Sequence, residues 1–181
     1  MIGMLLALVV LAAAFLGIRQ YNKNASSENS TTEDTQETVL DVNSDDITSF
    51  RYVYEGETYA FEKEDETWYY ADDHSLNLNQ DRIKAMILKV APLKADQVIE
   101  NVTDMSQYGL ADPERTIQYE TADRSVIINV GNLNSMTSQY YIAFPSEMKV
   151  YVVATNVVTG FNYTLEDLVA VSYTHLRAHE T

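Results

Sequence analysis

The chain opens on an unbroken apolar run: Met1 to Ile18 holds no charged residue and is mostly Leu, Ala, Val and Ile. A helix of that length, at about 1.5 Å rise per residue, reaches roughly the 30 Å of a hydrocarbon core. Residues 1–18 are therefore read as a single transmembrane anchor. A buried core helix is disfavoured, because a polar segment follows directly instead of a partner element. A cleaved signal peptide is the stronger rival, since Ala12-Ala13-Ala14 offers small residues, but nothing basic precedes the run. The first basic residues, Arg19 and Lys23, come after it, which taken literally keeps the domain in the cytoplasm. Met1 and Met4 instead read as internal methionines with a start upstream. The expected location is a cell membrane, single-pass, with the domain outside the cytoplasm.

Residues 19–46 read as a linker, and Asn24 to Asp46 is rich in Ser, Thr, Asn, Glu and Asp. Such a stretch buries too little apolar surface to offset its ordering entropy, so disorder is expected. The folded part is expected over residues 47–170. Phe50, Tyr52 and Tyr54 alternate with Ser49, Arg51 and Val53, a strand pattern, and Glu55-Gly56 marks a turn. Tyr59 and Phe61 alternate next, and a polar turn at Glu64-Asp65-Glu66 leads to Trp68-Tyr69-Tyr70. These predict a three-stranded antiparallel meander with one aromatic face.

The period then changes. Ile83, Met86, Ile87 and Val90 form one stripe of an amphipathic helix over about Gln80 to Ala91, packed on that aromatic face. Asn79 is placed to cap it, Asp81 suits its positive end, and Pro92 stops it. A strand from about Ala95 to Val102 follows, then one helical turn over Asp104 to Tyr108 closed by Gly109 in the left-handed conformation, with Leu110 as the apolar contact. Further strands are expected at Thr116–Thr121, Ser125–Val130, Gln139–Phe144 and Lys149–Val153, with a break at Gly131–Ser135. A short helix from Asn156 to Phe161 has Thr155 as its expected cap, and Leu165, Leu168 and Val169 predict a last turn. The fold class is α+β: antiparallel β meanders packed with one main amphipathic helix and short helical turns, preceded by the transmembrane helix.

Composition narrows the function. With 12 Lys+Arg against 27 Asp+Glu, the net charge of -15 argues against nucleic acid as a partner. Cysteine is absent, which removes disulfides, thiolate metal sites and cysteine nucleophiles.

The strings Ile47-Thr48-Ser49-Phe50, Gly56-Glu57-Thr58-Tyr59, Trp68-Tyr69-Tyr70, Val98-Ile99-Glu100, Tyr108-Gly109-Leu110-Ala111-Asp112-Pro113 and Val130-Gly131-Asn132 resemble, in order and spacing, the bacterial family called domain of unknown function 4340. The resemblance spans about Ile47 to Val171, and the Tyr-Gly-Leu-x-Asp-Pro string is its most specific piece. It implies an N-terminally anchored, extracytoplasmic α+β protein, with genes sometimes beside those of transporters of the ATP-binding-cassette and gliding-motility kind. It brings no catalytic residues. Residues 171–181 depart from the rest and look like a non-native read-through tail.

Chemistry is sparse. His175 and His179 share an i, i+4 spacing, and His74 is the only other histidine, but two of the three lie in the tail, so no metal is expected. Asp72, Asp73, Asn77, Asn79 and Asp81 make an oxygen-rich loop without calcium-loop spacing, and read as a solvated turn with a helix cap. No nucleophile–base constellation is visible, so no catalytic residues and no cofactor are expected. Thirteen tyrosines and Trp68 suggest a contact surface of Trp68, Tyr70, Tyr140 and Tyr141. The expected function is a non-catalytic binding or scaffold module serving an envelope or transporter partner. The alternative is an envelope-polymer hydrolase using a carboxylate pair.

Overall fold

The inner surface of the domain is built from aromatic rings presented by alternating strand positions. The computed structural model describes residues 36–170 apart from Ser146, and the chain divides between Thr35 and Gln36. The anchor over Met1–Ile18, most of the linker and the C-terminal tail lie outside the described residues. Among the described residues no helix is long and apolar enough to cross a membrane.

The elements run β1 (Glu37–Leu40), a 3-10 turn at Ser44–Asp46, β2 (Ile47–Tyr54), β3 (Glu57–Glu64), β4 (Thr67–Tyr70), α1 (Gln80–Ile87), β5 (Leu93–Ala95) and β6 (Gln97–Ile99). A second 3-10 turn at Ser106–Tyr108 follows, then β7 (Arg115–Thr121), β8 (Ser125–Asn134), β9 (Gln139–Ala143), β10 (Val150–Ala154), α2 (Thr155–Thr159) and α3 (Leu165–Leu168). Eight strands form one sheet in the order β4-β3-β2-β7-β8-β9-β10-β6, every pair antiparallel, and β1 pairs β5 in a separate two-stranded sheet.

The first meander forms as its alternation predicts. Both of its turns hold two residues with positive φ, Glu55 at 53° with Gly56 at 80°, and Asp65 at 43° with Glu66 at 67°. That twist matches the strands on either side. Register then puts Phe50 opposite Phe61 and Tyr119, and Tyr52 opposite Tyr59 and Ile117. The Phe50 ring lies 4.7 Å from that of Phe61 and 5.1 Å from that of Trp68. Phe161, from just after α2, meets Tyr52 edge-on at 5.5 Å. Ile83, Met86 and Ile87 of α1 are buried, as is Val90 beyond it, and all four join this core. The Asn79 side chain accepts from the Arg82 amide at 3.0 Å, the cap expected of it.

The structure corrects several expectations. Residues 36–46 are part of the fold: Glu37–Leu40 is a strand, Val42 is buried, and Asn43 caps the first 3-10 turn. Their polar residues hid Val39, Leu40 and Val42, which pack on the core. The helix ends at Ile87, short of Ala91. The strand expected over Ala95–Val102 is two, because β5 serves β1 while β6 serves β10. No break occurs at Gly131, since β8 continues to Asn134 across an irregularity in its pairing with β9. Thr155 does not cap its helix; its hydroxyl donates to the Ser138 carbonyl.

Burial governs the core tyrosines. The Tyr119 hydroxyl is pushed up to about 12, and that of Tyr52 is raised further, in both cases first by desolvation. A raised folded-state value means that this stabilisation is whole below the unfolded tyrosine value of 10.0 and is lost as pH climbs toward the folded ones. Unfolding free energy measured at increasing pH is expected to fall steeply above that value. In Tyr119→Phe the fall becomes shallower; an unchanged slope would mean that Tyr119 ionises without unfolding.

Candidate functional site

The largest described cavity, about 370 Å³, is a groove beside β1. Val39 and Leu40 form one wall, Arg124, Ser125, Val126 and Ile127 at the start of β8 another, and Phe144, Pro145 and Glu147 the end. Its lining is mainly apolar because β1 brings its apolar residues over the sheet beside β8. The Gln36 amide donates to Asp96 at 2.7 Å, and Gln139 donates to the other oxygen of the same carboxylate at 2.8 Å, so β1 is fixed at its entry. The groove has one carboxylate, Glu147, and the Tyr151 hydroxyl donates to it at 2.6 Å. Burial, then that contact, raises the Tyr151 hydroxyl far above its ordinary value, so the phenol keeps its proton and the carboxylate its donor. An apolar slot with one charge of each sign at its rim suits an apolar segment better than bond-breaking chemistry, which needs convergent, unengaged groups.

A second surface is the outer face of β2, β3, β4 and β7. Ser49, Arg51, Glu62, Gln118 and Glu120 line a shallow cavity of about 160 Å³ there. Arg51 donates to Gln118 at 2.6 Å. Glu62 and Glu64 meet His74 on this face, all three exposed.

The loop Val102 to Leu110 covers the outer face at the other end of the sheet. Val102, Leu110, Ala143 and Val150 make a small second core, with Tyr108 and Tyr141 packed against it. Gly109 has φ 71°, and the Leu110 amide reaches back to the Met105 carbonyl at 3.0 Å, the closure expected of this string. Asp104 accepts from the Ser106 amide and hydroxyl, and the hydroxyl contact, then the amide, holds its carboxyl below the usual range. A Cβ on Gly131 would lie 2.2 Å from the Tyr108 carbonyl oxygen, so the loop sits directly on the strand backbone. The Tyr-Gly-Leu-x-Asp-Pro and Val-Gly-Asn strings thus meet each other, and their role here is packing.

The proposed tyrosine surface is not assembled. Trp68 is buried in the aromatic core, and Tyr70 faces inward with its ring 5.6 Å from Phe61. Tyr140 packs on the same core, while Tyr141 lies on the outer face under Tyr108, the rings 5.0 Å apart. The register explains this: Trp68 and Tyr70 share a face with Lys63 and Phe61, and Tyr69 takes the other. Among the oxygen-rich loop residues, Asp73 accepts from Ser75 and Asn79 caps α1, as solvated-turn chemistry predicts. His175 and His179 lie outside the described residues. The groove residues are not legible in the sequence because Val39 and Leu40 sit in a polar stretch, nor are Glu62, Glu64 and His74, because a hairpin and a fold-back turn bring His74 to β3.

The chain belongs to a family of proteins of unassigned role: the family described as Domain of unknown function (DUF4340) matches residues 68–178. The match begins at β4, inside the first meander, and takes in α1 and everything described after it. No curated protein and no solved structure matches the chain.

The packing of the loop on Gly131 makes a test. Gly131→Ala is expected to cost about 1–3 kcal/mol in urea unfolding, the usual penalty for forcing atoms into a filled site. A variant as stable as the parent would show that the loop does not bear on that strand.

Proposed function

We propose that the chain is a non-catalytic, extracytoplasmic binding or scaffold module of a bacterial membrane complex, accessory to a transporter of the ATP-binding-cassette kind. The groove beside β1 holds an apolar segment of the partner. The observation that carries this reading is the groove itself: the largest described cavity, lined by Val39, Leu40, Val126, Ile127 and Phe144, with its one carboxylate held by Tyr151. The N-terminal apolar run supports the membrane location, and the family resemblance supports the transporter setting.

The hydrolase reading rests on Glu62 and Glu120, which line one cavity on the outer face. It is the weaker, because both are exposed on an open sheet surface and Glu120 faces the Ser49 hydroxyl at 3.5 Å. A general acid needs desolvation that this surface does not supply.

A photo-crosslinking residue at Ile127, in the protein expressed in its own membrane, is expected to capture a transporter subunit. Ile127→Asp is expected to cut pull-down of that subunit by about tenfold or more, roughly 1.4 kcal/mol, with thermal unfolding unchanged. Recovery of no partner, together with turnover of a cell-wall fragment that Glu62→Gln abolishes, would overturn the module in favour of the hydrolase. Protection of the domain from protease added to intact spheroplasts would refute the location.

A further inference from the structure

We propose that Glu62, Glu64 and His74 form a binding site for one first-row divalent transition cation, with zinc as its probe. The site is independent of the groove and of the module reading. Glu62 and Glu64 are two apart on β3, so their side chains leave the same face of the sheet. Pairing on both sides of β3, with β2 and with β4, fixes where they stand. Tyr69 is the cross-strand partner of Glu62 on that face. The chain folds back through a bridge between Tyr70 and Asp73, which brings His74 over Tyr69, the rings 5.0 Å apart and 16° from parallel. One ligand atom from each of Glu62, Glu64 and His74 then lies within 4.8 Å of the others.

The charge arrangement around them favours a cation. Two carboxylates held this close repel each other, in a chain of net charge -15. Neighbouring cations are committed elsewhere. Lys63 points to the opposite face, its ammonium 5.8 Å over the Trp68 ring and donating to the Asp45 carbonyl at 2.5 Å. Arg51 is taken by Gln118. Among the described residues neither carboxylate has a hydrogen-bond donor or an ion-pair partner. Two carboxylates balance a divalent ion, and the imidazole nitrogen selects first-row transition ions over calcium or magnesium, which favour oxygen alone. Three protein ligands leave a coordination position for water or for a group from another molecule.

The full chain, stripped with a chelator and titrated with Zn²⁺ in a calorimeter, is expected to bind one equivalent. Glu62→Gln and His74→Ala are each expected to weaken that binding by roughly tenfold or more, with unchanged thermal unfolding in the absence of metal. His175→Ala/His179→Ala is expected to keep it. Cobalt in place of zinc is expected to show visible absorption that His74→Ala shifts or removes. The proposal is overturned if the chain binds less than an equivalent, if His74→Ala binds as the parent does, or if binding disappears with the tail histidines instead.

Discussion

Phe50 lies among Phe61, Trp68 and Tyr52 on one face of a sheet whose strands are all antiparallel, and Phe161 packs onto these rings from just beyond α2. Each ring removed from water contributes about 4–6 kcal/mol of gross apolar burial before entropy is charged against it. That face cannot be left wet, so each helix finds its place by covering it. Helix α1 brings Ile83, Met86 and Ile87; α2 brings Val157 and Val158; α3 brings Leu168. The Tyr52 hydroxyl, carried deep into this layer, donates to the Tyr163 carbonyl at 2.8 Å and so ties the C-terminal segment to the second strand.

The same helix that covers the rings closes an edge of the sheet. Strand β4 stands last in the order, and an open edge invites another chain to pair with it. The Gln80 side chain prevents that at Trp68: its carbonyl accepts from the Trp68 amide at 2.8 Å and its amide donates to the Trp68 carbonyl at 2.9 Å. One glutamine thus satisfies two backbone groups that a neighbouring strand would otherwise seek. Strand β10, one in from the opposite edge, is instead covered on both faces. Val150, Tyr151, Val152 and Val153 are all buried: Tyr151 and Val153 face the main core, and Val150 joins the small core under the loop seated on Gly131.

How far the sequence carried depended on whether a feature was periodic. The aromatic meander, the stripe of α1, the Asn79 cap and the left-handed Gly109 all rest on spacing or on one residue's backbone freedom, and all were legible. Strand β1 was not, because four residues in an acidic run take their order from β5, far along the chain. The contact surface failed for a related reason. Alternation shows that one of Tyr69 and Tyr70 faces out but not which, and only the pairing of Lys63 with Trp68 decides it. Glu62, Glu64 and His74 were equally invisible, since a hairpin and a fold-back turn bring them together.

Strand β1 also bears on the groove. Among the described residues it pairs only with β5, over a few residues and through an irregular register, yet Val39 and Leu40 form a wall of the largest described cavity. A strand held by so few bonds sits at the low end of local stability. A segment that fills the groove touches β1 and the β8 start together, so it binds only when β1 is docked. By linkage it then stabilises the docked strand by as much as its binding free energy depends on that wall.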